Sequence, residues 1–284
     1  LFSIQIIPKL SYNIGKNKHR RVTMYINRDM NINHIKTRYS GLCSGMGLGI
    51  MVLDMHYPGF PGDIRNPSGY PFPIQYEIID GLDLNPLQYE DHKEKFLPLM
   101  IAAAKKLEKL GCRAIAAEGS YFGNYQKEIA DEVNIPVFTS SLLQLPFIQQ
   151  TISSKKKAVI LTPLKERMTE EYLSNFGIQP GSNYIAESIH DHVRCTEFIK
   201  LWGAPGIEAE GTIEFEAARD QMVARALKIK EEHPDMGALI FDCTGWTPYS
   251  RAIQQAIDVP VYSWGTLLDY INLAVNSREY YGNV

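Results

Sequence analysis

Apolar residues in this chain come in short unbroken runs separated by longer stretches with helical spacing. LGIMVLD (48–54) is such a run, closed by an acid, and predicts a buried strand; IQYEIIDG (74–81) predicts a second. The segment between them, 56–73, is rich in proline and glycine and predicts a long loop. Farther on, Phe96, Leu99, Met100, Ala103, Leu107 and Leu110 recur at spacings of three or four, the mark of an amphipathic helix over 90–110. Gly111 then stops it. RAIAA (113–117) predicts a strand, 121–133 a helix directly behind it, and IPVF (135–138) another strand. Residues 142–152 predict a helix that Ser140 or Ser141 can cap.

The second half repeats this order. KKKAVILTP (155–163) predicts a strand, 165–178 a helix closed by Gly177, and SNYIAESI (182–189) a strand. Residues 189–210 contain Gly203, Pro205 and Gly206 and read as a connection. A long helix is expected over 213–233, then strand, helix and strand over 237–264. A last helix near 265–276 is expected to pack back across the first half. Strands that alternate with helices and mostly lack polar alternation indicate parallel sheets covered on both faces.

One segment occurs twice. AIAAEGSYFGNYQKEIADEVNIPVFT (114–139) and ALIFDCTGWTPYSRAIQQAIDVPVYS (238–263) align without a gap at a constant offset of 124. Ala114, Tyr125, Ile129, Pro136 and Val137 recur as Ala238, Tyr249, Ile253, Pro260 and Val261, while Glu118 pairs with Asp242 and Ser120 with Thr244. Between acid and hydroxyl the copies differ: Gly119 in the first, Cys243 in the second. An internal repeat implies two similar subdomains. The expected fold is α/β, two pseudo-symmetric subdomains, each a mainly parallel sheet flanked by helices, with the active site in the cleft between them. The expected boundaries are a basic leader over 1–45, a first subdomain over 46–155 plus the helix near 265–276, and a second over 156–264.

In such folds ligands bind beyond the carboxyl ends of the strands, at the start of the following helix. Both copies put their variable triplet there, Glu118-Gly119-Ser120 and Asp242-Cys243-Thr244. Helix starts offer backbone N–H groups and a positive dipole end, which suit a carboxylate or a developing enolate. Two of them facing each other, at Gly119, Ser120 and Tyr121 and at Thr244 and Gly245, are expected to grip a small acid. Ser120 and Thr244 are expected to add hydroxyl donors. The same dipole is expected to lower the pKa of Cys243 and make it a better base or nucleophile. A strand-end cysteine is otherwise a small buried hydrophobe, the reading kept for Cys43, Cys112 and Cys195. His190-Asp191-His192 reads as a solvated loop rather than a metal site.

Composition narrows the classes further. A net charge of −3 argues against nucleic-acid and membrane-surface partners. Four cysteines without CxxC spacing fit a reducing compartment, and a cytoplasmic location is expected. Residues 1–40 differ from the rest, with eight Lys/Arg against the one acid Asp29. This leader reads most simply as disordered; an organelle presequence and a tail that docks on a partner stay open.

The runs GIMVLDMHYPGFPGDIRNPSGYPFP, AIAAEGSYFGNYQ and FDCTGWTPYSRAIQQAIDVPV resemble the aspartate/glutamate racemase superfamily over roughly 46–275. That group includes hydantoin racemases, maleate isomerases, arylmalonate decarboxylases and an algal dimethylsulfoniopropionate lyase branch. The resemblance implies two pseudo-symmetric α/β subdomains, no pyridoxal phosphate, no metal and no other cofactor. It implies a cysteine after each of two equivalent strands, one per face of the substrate α-carbon. It also implies a substrate-orienting residue near Asp54, and lining roles for Ser140, Ser141 and Thr162. Here the second family cysteine is Cys243, and Gly119 stands in place of the first. This single-cysteine pattern is similar to that of the arylmalonate decarboxylases, although Thr162-Pro163-Leu164 lacks their tyrosine.

A two-base racemase needs an acid–base group on each face of the carbon, which glycine cannot supply. The expected function is therefore a cofactor-independent enzyme moving a proton at the carbon α to a carboxylate, through an enediolate, as a decarboxylase, lyase or isomerase. Cys243 is the catalytic residue, and a small carboxylic acid is the ligand. A conventional amino-acid or hydantoin racemase with an unusual second base and a non-catalytic carboxylate-binding protein are the alternatives. Homo-oligomerisation is open. The gapless repeat also suggests that the turn at Gly119 mirrors the one at Cys243, so that Gly119→Cys should fit and restore a base.

Overall fold

The computed structural model describes residues 42–56, 58–84, 87, 93–204, 206–278 and 280, so most of the basic leader lies outside the described residues. Two four-stranded parallel sheets form the framework. The first comprises β1 (Leu48–Leu53), β2 (Ile74–Ile79), β3 (Ala114–Ala117) and β4 (Val137–Phe138), in the order β2-β1-β3-β4. The second comprises β5 (Lys157–Thr162), β6 (Tyr184–Ser188), β7 (Met236–Phe241) and β8 (Val261–Tyr262), in the order β6-β5-β7-β8. The topologies are identical, and the repeated segment supplies the third and fourth strands of each. This is the α/β architecture of two pseudo-symmetric halves that the repeat predicts. β1 and the inner strands β3, β5 and β7 are buried nearly throughout, which is why they read as unbroken apolar runs.

The helices in chain order are α1 (Lys93–Leu110), α2 (Gln126–Asp131), α3 (Leu145–Thr151), α4 (Glu170–Ser174), α5 (Thr196–Trp202), α6 (Phe215–Glu232), α7 (Ser250–Ile257) and α8 (Trp264–Val275). Two of them exchange places between the halves. Leu145 and Ile148 of α3, which follows the first sheet in sequence, pack with Ala158, Ile160, Ala238 and Ile240 of the second. Trp264, Leu267, Leu268 and Ile271 of α8, which follows the second sheet, pack with Leu48, Ile50, Ala114 and Ala116 of the first. Each sheet is closed by the other half's last helix. Gln144 joins the two swapped elements, donating to the Ser263 carbonyl (3.1 Å) and accepting from the Thr266 hydroxyl (2.8 Å). The two halves are therefore also tied by polar contacts at the starts of these helices.

Three elements differ from the sequence reading. The connection over 189–210 contains α5, whose Glu197 accepts from the Glu214 N–H (2.9 Å) and pairs with Lys200 (2.6 Å). This helix rests on tertiary partners its own spacing does not display. The helix expected over 165–178 is reduced to α4, capped by Thr169. Both repeated helices begin as 3-10 turns, Ser120–Tyr125 and Thr244–Tyr249, before continuing as α2 and α7. Among the described residues no helix is long and apolar enough to cross a membrane.

Candidate active site

The carboxyl ends of β3 and β7 open on a cleft of about 1260 Å³ between the two halves. Glu118, Gly119, Ser120 and Tyr121 line it from one half, and Thr162, Asp242, Cys243 and Thr244 from the other. The fold thus brings together both copies of the variable triplet.

The hydroxyls mostly bind protein. Ser120 donates to the Asp242 carbonyl (3.1 Å) and accepts from Ser140 (2.8 Å), whose oxygen also caps the following turn at Leu142 N–H (3.1 Å). Ser141 donates to the Phe241 carbonyl (2.6 Å), and the Trp264 indole donates to that of Asp242 (2.9 Å). Ser140 and Ser141 are completely buried. They are staples across the repeat and stand outside the cleft lining. The Ser120 hydroxyl, expected to donate to a ligand, gives its proton to Asp242 instead; Thr244 keeps its place on the lining. Thr162 donates to one Asp242 carboxylate oxygen (2.8 Å). Asp54 is exposed and accepts from the Gly81 N–H (2.9 Å), so it braces a turn away from the lining.

Cys243 departs from expectation in its ionisation. It sits at the lead of its 3-10 turn in extended backbone, and the Gly245 N–H does pull its pKa down as a helix start should. Burial outweighs that pull, with Asp242, Asp63 and Glu118 adding to it, and the thiol is pushed far up. The surroundings of Cys243 thus favour the thiol over the thiolate, the reverse of what the dipole argument predicts.

Gly119 does not mirror Cys243. Its φ is +92°, against −81° at Cys243. A Cβ on Gly119 would stand 2.5 Å from the Tyr121 hydroxyl oxygen. The turn has been recast around glycine, and Tyr121 occupies the space a second thiol would need. The expectation that Gly119→Cys simply fits is overturned. We expect this variant to lose about 2 kcal/mol or more, because left-handed backbone strain and the clash add. Urea denaturation of the variant beside wild type measures it, and an unchanged midpoint would remove the strain argument.

Other site residues carry no sequence signal. Arg65, on the Pro/Gly loop, donates to both Glu118 oxygens (2.6 Å each), to the Leu53 carbonyl (2.5 Å) and to the Met55 carbonyl. It thereby pins the loop to the end of β3. Arg167 and Tyr172 line the cleft, and the Tyr172 hydroxyl donates to the Ser120 carbonyl. Nothing in the helical spacing of 165–178 marks these two as functional. His190 lines the cleft as well, with burial pushing its pKa down, whereas Asp191 pairs with Lys165 (2.5 Å) and His192 with Glu232 (3.5 Å). The His-Asp-His side chains thus diverge.

No family model matches the chain. It is 25% identical over 221 residues to a dimethylsulfoniopropionate lyase of Durusdinium sp. clade D, a match covering 76% of this chain and 70% of that protein. It is 26% identical over 235 residues to dimethylsulfoniopropionate lyase 7 of Emiliania huxleyi (strain CCMP1516), covering 78% and 64%. Among solved structures it resembles a glycine-to-cysteine variant of arylmalonate decarboxylase in its sulfate-associated form. There the TM-score is 0.54 at 14% identity, covering 84% of this chain and 97% of that one. The fold is shared with arylmalonate decarboxylase, which a second structure of that enzyme repeats at a TM-score of 0.53 and 14% identity. The relatives that share sequence with this chain are thus lyases, and the one that shares its fold is a decarboxylase.

Proposed function

We propose that this chain is a lyase that removes a proton from the carbon α to a carboxylate and expels a leaving group from the β carbon. Dimethylsulfoniopropionate is the first substrate to test. The observation that carries the reading is the lone thiol of the cleft. Of the four cysteines only Cys243 lines it; Cys112 and Cys195 are buried and Cys43 is exposed on the surface. The opposite position holds Gly119 beneath the Tyr121 ring, so a symmetric two-thiol exchange has no second thiol. One-sided proton transfer fits this arrangement, and the lyase names of the sequence relatives support elimination as the outcome.

In the proposed step the substrate carboxylate lies between the turns starting at Ser120 and Thr244, whose N–H groups meet the negative charge that grows on its oxygens. The Cys243 thiolate takes the α proton, and the C–H electrons enter an enediolate. The enediolate re-forms the carboxylate as a C=C bond forms. The C–S electrons leave with dimethyl sulfide, and acrylate remains. Cys243 then returns its proton to solvent.

A second reading, decarboxylation, is favoured by the raised thiol pKa, because an enediolate left by carbon dioxide needs a thiol to donate to it. The pH profile separates the two. If the thiolate is the base, kcat/KM for dimethylsulfoniopropionate rises about tenfold per pH unit from about pH 6 to 9, since the thiolate fraction does so far below its pKa. If the thiol is the acid, decarboxylation of a malonate stays flat over that range. Headspace dimethyl sulfide measures the first and carbon dioxide release the second. Turnover of neither, with no deuterium entering the α-carbon in heavy water while the acids still bind, would leave a carboxylate-binding protein.

A further inference from the structure

We propose that the cleft wall formed by Tyr121, Tyr172 and Asp242 is a subsite for an onium cation, a sulfonium or quaternary ammonium group carried by the substrate. The proposal rests on the reading of the cleft as a site for a small carboxylic acid, and it names what must stand at the other end of that acid.

Three observations converge on this wall. Asp242 is only 9% exposed and lines the cleft, yet just one of its carboxylate oxygens is bonded, to Thr162. The other oxygen has no hydrogen-bond partner among the described residues. A buried carboxylate that keeps one oxygen unpaired is costly, unless a charge supplied by the ligand completes it. Second, two aromatic side chains stand beside it. Tyr121 fills the space above Gly119, and Tyr172 is fixed by its bond to the Ser120 carbonyl. The Asp242 charge reaches both phenols and helps raise their pKa values, behind the larger effect of burial. Third, Tyr121 also feels the negative charge of Glu118, which lines the same cleft. The wall is aromatic and negative, which is the chemistry that holds a cation without N–H donors.

The nearby arginines do not take this place. Arg65 is committed to Glu118 and to two backbone carbonyls. Burial raises the Asp242 pKa, and Ser120, Thr162 and, least of the three, Arg167 oppose it by favouring the ionised form. The stereochemistry of elimination agrees with the placement. A base taking the α proton from one side of the substrate suits a leaving group departing from the other, and Tyr121 occupies the position across the repeat from Cys243. An onium group held there leaves as a neutral sulfide or amine and loses its hold on the wall as the bond breaks.

Calorimetric titration tests this on Cys243→Ala protein, so that nothing turns over. The probes are dimethylsulfoniopropionate, 3-(trimethylammonio)propanoate and 4-methylpentanoate, the last an isostere of the first that lacks the onium charge. Both onium acids should bind at least about tenfold more tightly than the isostere, an advantage that one carboxylate and aromatic contacts can provide. Adding Asp242→Asn should bring that ratio to within about threefold, and adding Tyr121→Leu should lower it severalfold. Tyr121→Phe should preserve the preference, since the ring and not the hydroxyl meets the cation. Equal binding of the isostere, or an onium preference untouched by both Asp242→Asn and Tyr121→Leu, overturns the subsite. Onium preference without cleavage by wild-type protein overturns the lyase reading and keeps the subsite, while cleavage without preference does the reverse. No binding of any probe overturns both.

Discussion

Cys243→Ala is expected to lower kcat/KM for dimethylsulfoniopropionate by at least about 10²-fold, the lower end of what a positioned proton-transfer group contributes. The alternatives for that role are poorly placed. Ser120 has given its proton to the Asp242 carbonyl, and Thr162 has given its own to the Asp242 carboxylate. KM should change much less than kcat, because the thiol meets a proton in flight and not the bound carboxylate. The readout is dimethyl sulfide release at saturating and limiting substrate. A variant that keeps more than about a tenth of the wild-type kcat would sink the assignment of Cys243 as the proton carrier.

Arg65→Met is expected to cost about 3–5 kcal/mol of stability, the range for breaking a buried ion pair from one side. The Glu118 carboxylate would retain the Leu53 N–H (2.9 Å) but lose a guanidinium that meets both its oxygens. Both partners are largely shielded, with side-chain exposures of 17% and 3%, so solvent screening offsets little of the loss. Adding Glu118→Gln removes the stranded charge and should recover a good part of the stability, as neutral groups are cheaper to leave half-paired. Urea denaturation of the two variants and wild type decides it. If the double variant is no more stable than the single, the cost lies in the loop packing and not in the charge. Loss of this anchor should also loosen the Pro/Gly loop, which reaches the site through Asp63, a residue whose charge acts on the Cys243 thiol.

Much of the framework is legible from local pattern. The apolar runs at 48–53, 114–117, 157–162 and 236–241 become β1 and the inner strands, because a strand covered on both faces has no solvent side to mark with polar residues. The gapless repeat carries more, since equal spacing from strand to turn places Glu118 and Asp242 at equivalent strand ends and hence on one cleft. Helix α5 was not legible. It is held by Glu197 and its partners on other segments, and a short helix stabilised by packing need not show its own periodicity. The return of α8 to the first sheet was expected, but the packing of α3 on the second was not, since apolar spacing tells that a helix has a buried face and not which sheet receives it.

The sequence by itself determined the two-sheet α/β plan, the duplicated strand-to-turn units, and the asymmetry of one thiol against one glycine. Those are properties of neighbours along the chain, and the backbone transmits them over a few residues. Only the tertiary structure decided how the two triplets behave. The turn at Gly119 takes a left-handed φ with Tyr121 folded over it, a conformation open to glycine and closed to the cysteine of the other copy. The thiol of Cys243 is pushed up and not down, because the pKa answers to how much water and how many carboxylates surround it, and Asp63, Glu118 and Asp242 arrive from three separate segments. The unpaired oxygen of Asp242 and its two tyrosines likewise exist only where those segments meet.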